Sequence, residues 1–406
     1  MLRTLLVAAL LLVTIGARGD EPAGALATLV EDIWQYRLRE SPEFASRVGD
    51  RRYNDRLTAV SVADSDRRAA ETAAFLERSR AIDRAGLDRA GRLEVQLIER
   101  ALSESLTEHA SGDHLVPLSS WSGFHIDFPE LPDWAPLATV EDYEDYLARL
   151  RAFPAYAEGN LDLMREGVRR GWTVPAVILE GWEKSVDTHT VDDPETSVFF
   201  KPFAEFPDAV PPAERERLVA ESRVAIAEAI VPTYRRFRRF MADEYLPSCR
   251  ATIGASALPG GRDFYRHRVR KYTTLDLTPE EVHRTGLAEV ARIRAEMAAI
   301  AQRVGFDGDL AAFEEHLKTD EAFYEATEDA LLARTAAILK RADGELPKLF
   351  GRLPRMPYGL KPVPDYSASK APAAYYQRPN GDGTRAGFFF LNTFNLPSRP
   401  TYTLEA

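Results

Sequence analysis

Thr278-Pro279-Glu280-Glu281-Val282-His283-Arg284-Thr285-Gly286-Leu287-Ala288-Glu289-Val290-Ala291-Arg292-Ile293-Arg294-Ala295-Glu296-Met297 is the stretch that decides the fold class. Thr278 is placed to cap the first free N–H groups, Pro279 has the φ of a first helical residue, and Glu281 can reach back to complete the cap. From there Val282, Val290, Ile293, Met297 and Ile300 follow helical spacing toward a stop near Gly305, so the sequence predicts a long helix with an apolar stripe facing a core. A short helix and a second long one, from about Glu321 to Ala342 before Gly344, should follow.

The same periodicity runs upstream to Ala25. Leu26, Leu29, Val30, Ile33 and Trp34 fall at three- and four-residue steps, as do Tyr143, Tyr146, Leu147 and Leu150 after a Thr139-x-x-Asp142 start. Proline and glycine thicken between Leu115 and Pro136 and again from Leu346 to Pro400, which marks connecting regions. After Leu346 the character changes. Residues 357–364 read as extended, and Ala373–Arg378 and Gly387–Thr393 as two strands joined at Asn380-Gly381-Asp382-Gly383. The expected fold is therefore mainly α, a multi-helix array with a small β-hairpin near the C-terminus. Ser398-Arg399-Pro400 offers a further helix start, with Ala406 following soon after.

The 406 residues are 45% hydrophobic and 28% charged, ordinary for a globular chain. Lysine and arginine number 52 against 63 acids, and the net charge of −11 argues against a general nucleic-acid binder or a protein held on anionic lipid. Met1–Gly19 reads as a secretory leader: Arg3, an apolar run from Leu5 to Ile15, and Ala17-Arg18-Gly19 as cleavage site. The run is shorter than the roughly 20 residues of a membrane span, so no stable anchor should remain after cleavage. Cleavage would remove two arginines and no acid, leaving 50 basic against 63 acidic side chains, a balance of −13. Cys249 is the single cysteine, which rules out an intrachain disulfide and a cysteine-rich zinc site. A periplasmic or secreted protein is expected, divided into residues 1–19, 20–345 (helical) and 346–406 (β).

No mechanism-dictated motif is complete. There is no Gly-x-Ser-x-Gly elbow, since Gly254-Ala255-Ser256 runs on into alanine and leucine, and Gly381-x-Gly383-x-x-x-Gly387 reads as a hairpin turn rather than a dinucleotide loop. The histidines at 109, 114, 125, 189, 267, 283 and 316 include no His-Glu-x-x-His, the spacing that puts two imidazoles and a water-activating glutamate on one helical face. His109, His114 and His125 with Asp113 and Asp127 could in principle hold a metal, though a polar connection between helices is the plainer reading. Arg235, Arg236, Arg238 and Arg239 read as a solvated helix face, with an anion site the lesser alternative.

From Pro232 onward the chain resembles a bacterial family, domain-of-unknown-function family 885. The matching segments are Asp243-Glu244-Tyr245-Leu246-Pro247, Ser256-Ala257-Leu258-Pro259, Asp276-Leu277-Thr278-Pro279-Glu280-Glu281-Val282-His283, Ala373-Ala374-Tyr375-Tyr376, Phe389-Phe390-Leu391-Asn392-Thr393 and Ser398-Arg399-Pro400. Members look like exported zinc-dependent peptidases because a His-Glu-x-x-Pro-Gly-His-His helix follows the segment matching Arg399–Ala406. The resemblance implies zinc for full-length relatives, but no residue here matches its ligands, so this chain is expected to hold no cofactor and to be catalytically incomplete. It further implies a peptide partner: Phe388–Thr393 would hold substrate backbone by ladder hydrogen bonds, Phe390 and Asn392 would touch it, and Tyr375 and Tyr376 would line the cleft. Aromatics alternating on a hairpin otherwise pack a core. The competing expectation is a non-catalytic periplasmic peptide-binding protein.

Overall fold

The computed structural model describes residues 2–119, 122–364, 368, 371–379 and 386–404, apart from the side chains of 2–20. The chain forms two compact units, residues 1–279 and 280–406. In the first, the backbone is helical over α1 (Leu2–Glu40), α2 (Val62–Arg80), α3 (Arg89–Ser111) and α4 (Val140–Arg170). Among the described residues, no helix is long and apolar enough to cross a membrane. The side-chain features of the leader and the Asn380–Gly383 turn lie outside the described residues.

Helix α4 organises this unit. Thr139 and Asp142 form the reciprocal cap that their spacing predicts, and Gly171 ends the helix in the left-handed conformation. Tyr143, Tyr146, Leu147 and Leu150 are buried along it, beside Phe153 stacked on Phe128 at 4.2 Å. The guanidinium of Arg149, 1% exposed, donates to the carbonyls of Pro42, Tyr53 and Arg56 and to Ser46 Oγ. A buried cation thereby ties the irregular chain after α1 to the centre of the unit. Gly159 sits where Val60 O would come within 2.0 Å of any Cβ, so that approach of backbone to helix requires glycine.

Across the core runs a long interrupted helix. It comprises α5 (Pro212–Ala225), a π turn over Ile226–Ile230, α6 (Val231–Phe240), a second π turn over Met241–Tyr245, and a last turn Leu246–Ser248. Each π turn is followed two residues on by a proline, Pro232 and Pro247, whose ring and missing N–H are poorly accommodated by a regular ladder. Helix α7 (Gly261–Thr273) closes the unit, with Phe264 edge-on to Trp172 at 5.1 Å.

The second unit contains α8 (Pro279–Arg303), α9 (Leu310–Thr319), α10 (Glu328–Leu349) and three strands, β1 (Tyr358–Pro362), β2 (Ala374–Gln377) and β3 (Gly387–Leu391). Two expectations need correction. Helix α10 does not stop before Gly344 but continues to Leu349, because an exposed glycine with nothing around it costs a helix only about 1 kcal/mol. The stripe on α8 is not a core face: Val282, Val290 and Ile293 are exposed, and Ala301 is the buried residue of that helix. Sequence period shows that a helix is two-sided, and says nothing about what covers the apolar side.

Candidate functional site

The sheet has the order β1-β3-β2, with β1 parallel and β2 antiparallel to β3. The hairpin read from the sequence is β2–β3; the parallel partner β1 makes β3 the central strand. This corrects the expectation that Phe388–Thr393 holds substrate backbone. Its ladder groups are taken by β1 on one side and β2 on the other, and beyond the strand Val363 N donates to Leu391 O and Asn392 N to Ala373 O. Among the described residues, the sheet edges with no strand beside them are those of β1 and β2. Since Ala373 points its carbonyl inward, alternation turns the backbone groups of Ala374 and Tyr376 outward along the β2 edge.

The register divides the aromatic residues between two faces. Tyr375 pairs with Phe390 and stacks on it at 4.9 Å with planes 9° apart; Phe388 lies edge-on at 6.3 Å. Lys361, opposite Phe390 on β1, places its Nζ 3.9 Å from the Phe388 ring centre. One face thus combines three aromatic rings with an exposed ammonium, a surface suited to apolar side chains and to a carboxylate at its border. Tyr376 belongs to the opposite face and lies across Gly387, where a Cβ would meet its hydroxyl at 2.0 Å. On that face Tyr358 donates to Asp343 Oδ1 and Leu339 O of α10, and burial, then Asp343, pushes its phenol up to about 12. Tyr375 and Tyr376 are 39% and 52% exposed, so both reach solvent, on different sides.

Asn392 is fully buried. Its amide nitrogen lies within hydrogen-bond distance of the carbonyls of Ala368, Ala371 and Pro372, and its oxygen accepts from Phe394 N. It fixes the segment leading into β2 and thereby positions the edge; it does not reach solvent. The extended reading of residues 357–364 corresponds to β1, but it names neither Lys361 nor the parallel pairing with β3.

The histidines do not gather. His109 and His114 stack at 4.4 Å, and His109 Nε2 lies 3.1 Å from Asp66 Oδ1 without meeting hydrogen-bond geometry. Burial, then His109, lowers the pKa of His114. Asp113 is held by Arg268 and Asp127 by Ser122, while His125 is buried against Phe124 and Phe237. Burial brings both His125 and His189 down to about 4. Among the described residues no group of three histidine, cysteine or acidic side chains could hold a metal ion. Arg235, Arg236 and Arg238 pair with Asp192, Glu158 and Asp187 on the exposed side of α6, as a solvated face should.

Architecture and sheet define a mainly α protein with a small mixed sheet near the C-terminal end. Residues 42–406 match the family described as "Bacterial protein of unknown function (DUF885)", and the chain belongs to that family. A search of curated proteins finds no match. Two solved structures share the fold. One is "the putative lipoprotein from Colwellia psychrerythraea", 19% identical, covering 95% of this chain and 70% of its own at a TM-score of 0.85. The other is "a putative lipoprotein of unknown function from Shewanella oneidensis", 15% identical, covering 95% and 68% at 0.60.

Proposed function

We propose that this chain is the exported helical scaffold of a zinc-peptidase-like protein, which offers a peptide a sheet edge but performs no hydrolysis with the residues it has. The observation that carries the peptide part is the open β2 edge, with outward backbone groups at Ala374 and Tyr376 beside the stacked Tyr375–Phe390 pair. An extended peptide adding there would gain main-chain hydrogen bonds, with alternate side chains falling on the Tyr375–Phe388 face. The zinc part rests on the family's lead-in residues, Phe389–Thr393 and Ser398–Pro400. The donor set for the metal does not fit: the described residues bring no three ligands together. Export is supported by the leader-like Met1–Gly19 and by the description of both solved relatives as lipoproteins.

The test uses a pool of unstructured peptides incubated with purified protein and zinc, followed by mass spectrometry, with binding measured by fluorescence anisotropy. Binding without cleavage, weakened about tenfold by Tyr375→Ala, is expected. Chelator-sensitive cleavage would refute the non-catalytic reading. Binding indifferent to Tyr375→Ala and to a proline at Tyr376 would refute the edge.

A further inference from the structure

Helices α3 and α7 satisfy their apolar sides in different places. Val95 and Ile98 of α3 join the cluster around Leu26 and Leu29, and Phe264 of α7 joins Trp172 and Leu258. Between the polar sides that remain, with the end of α2 as a third wall, lies a cleft of about 440 Å³. That volume falls within the roughly 300–1,000 Å³ of small-molecule sites. Every residue that lines it is polar or charged, and all belong to the first unit. Gln96, Arg100, Ser103 and Thr107 recur at three- and four-residue steps along α3, opposite His267 and Arg270 of α7.

Cations outnumber acids in this cleft, although the chain as a whole has a net charge of −11. Arg80, Arg100, Arg270 and Lys271 line it, against Glu99 and Glu104. Both acids are already engaged: Glu99 accepts from Arg84 with both oxygens, and Glu104 accepts from Arg100 Nε at 2.8 Å. Arg100 also donates from Nη2 to Lys271 O at 3.1 Å, and Lys271 donates to Glu108, so these two cations are fixed across the α3–α7 seam. Arg270 is different. Its guanidinium has no partner among the described residues, and neither has the amide of Gln96 or the hydroxyl of Ser103. His267 on the same wall has a buried Nε2 without a hydrogen-bond partner, an uncommon state that points to a missing one.

The end of α7 adds an independent sign. Thr274 lines the cleft and holds φ 63°, ψ 8°, a left-handed conformation that glycine adopts freely and a β-branched residue only at a cost. A helix end gains nothing from threonine there, whereas a polar site gains a hydroxyl.

We propose that this cleft is a binding site for a compact anion bearing at least two carboxylate or phosphate groups. Arg270 supplies the free guanidinium fork, which matches paired anionic oxygens, while Arg100 and Lys271 supply charge already held in place. Gln96 and Ser103 add neutral donors. A lining without apolar side chains has nothing to offer an uncharged apolar molecule. The sheet belongs to the other unit, so this site stands whether or not the β2 edge takes a peptide.

Isothermal titration calorimetry of the 406-residue chain with citrate and, separately, pyrophosphate tests the proposal at physiological salt, with thermal unfolding as a second readout. Saturable binding of one anion per chain is expected for at least one of them, with a rise in thermal midpoint, and the tighter of the two tells carboxylate from phosphate. Arg270→Gln should weaken binding at least about tenfold through loss of a charge-assisted contact. Because Arg270 has no partner to lose, the midpoint of that variant without anion should match the parent's. Arg266→Gln removes the same charge from the same helix at a residue outside the cleft that pairs with Asp263. It should leave binding within about twofold, since exposed charges are screened. Three results overturn the proposal: neither saturable heat nor a midpoint rise with either anion, binding that Arg270→Gln leaves intact, or equal weakening by Arg266→Gln. The last would mean attraction to a basic surface and not a site.

Discussion

Replacing Arg149 with methionine should remove about 4 kcal/mol from the stability of the first unit. The guanidinium makes four hydrogen bonds of 2.7–3.2 Å and is 1% exposed. Methionine refills much of the volume but removes the charged donor from three main-chain carbonyls, bonds worth about 1.5–3 kcal/mol each; Pro42 O and Tyr53 O keep Ser46 Oγ and Arg56 N as donors, while Arg56 O is left facing an apolar side chain. Ser46 keeps its partners, donating toward Pro42 O and Asn54 Oδ1. Part of the loss is offset because a buried cation no longer has to be desolvated, a cost visible in the lowering of the Arg149 pKa to about 10. Arg149→Lys should lie between the two, since an ammonium reaches one or two of the four acceptors. Urea unfolding followed by tryptophan emission is a suitable assay because the Trp134 ring lies 5.3 Å from the guanidinium carbon. A methionine variant within about 1 kcal/mol of the parent would show that the segment is held by something other than these bonds.

Acid should destabilise the first unit well before carboxylates are fully protonated. His125 and His189 have folded pKa values of about 4 against an ordinary 6.5, so the fold favours their neutral forms. Their contribution is complete above pH 6.5 and declines as pH falls toward 4, by about 3 kcal/mol for His125. Thermal midpoints between pH 7 and 4 should show a decline that His125→Phe reduces, and an unchanged pH profile in that variant would refute the assignment. Asn392→Ala should loosen the 368–372 segment, costing about 2 kcal/mol in the second unit, and weaken peptide binding while the first unit's exchange stays as it was. Equal binding would separate Asn392 from the edge. Gly159→Ala should cost several kcal/mol, because Val60 O lies where the methyl must go; a neutral result by calorimetry would show that the 59–61 backbone yields freely.

Much of this fold is legible in local chemistry. Thr139 with Asp142 and Pro279 at a helix start act within one turn of chain, and the β2–β3 hairpin joins neighbours in sequence, so each is written in a few adjacent residues. The extended character of residues 357–364 is legible too, but the pairing of β1 is harder to find. Its parallel partner begins at Gly387, 29 positions beyond Tyr358, and no spacing rule links them. Without that pairing the central strand looks like an edge. Asn392 was noticed for its amide, but whether an amide faces solvent or the carbonyls of residues 368–372 depends on a connection that sequence does not fold. The stripe on α8 was read as core for the same reason: amphipathicity gives the direction of a face and leaves its partner open.

The two π turns in the helix from Pro212 to Ser248 have a consequence for how this region can change. Each inserts about one residue beyond a regular turn and so advances the angular phase of everything after it by about 100°. Rewinding Ile226–Ile230 as regular α-helix with no residue removed would undo that offset and swing Tyr234 and Phe237, both 1% exposed, toward water. Arg235 and Arg238 would rotate toward the interior in their place. The π turn therefore holds these faces in place. Losing one residue within Ile226–Ile230 while regular winding is restored leaves them where they are, whereas losing one just after it turns them by about 100°.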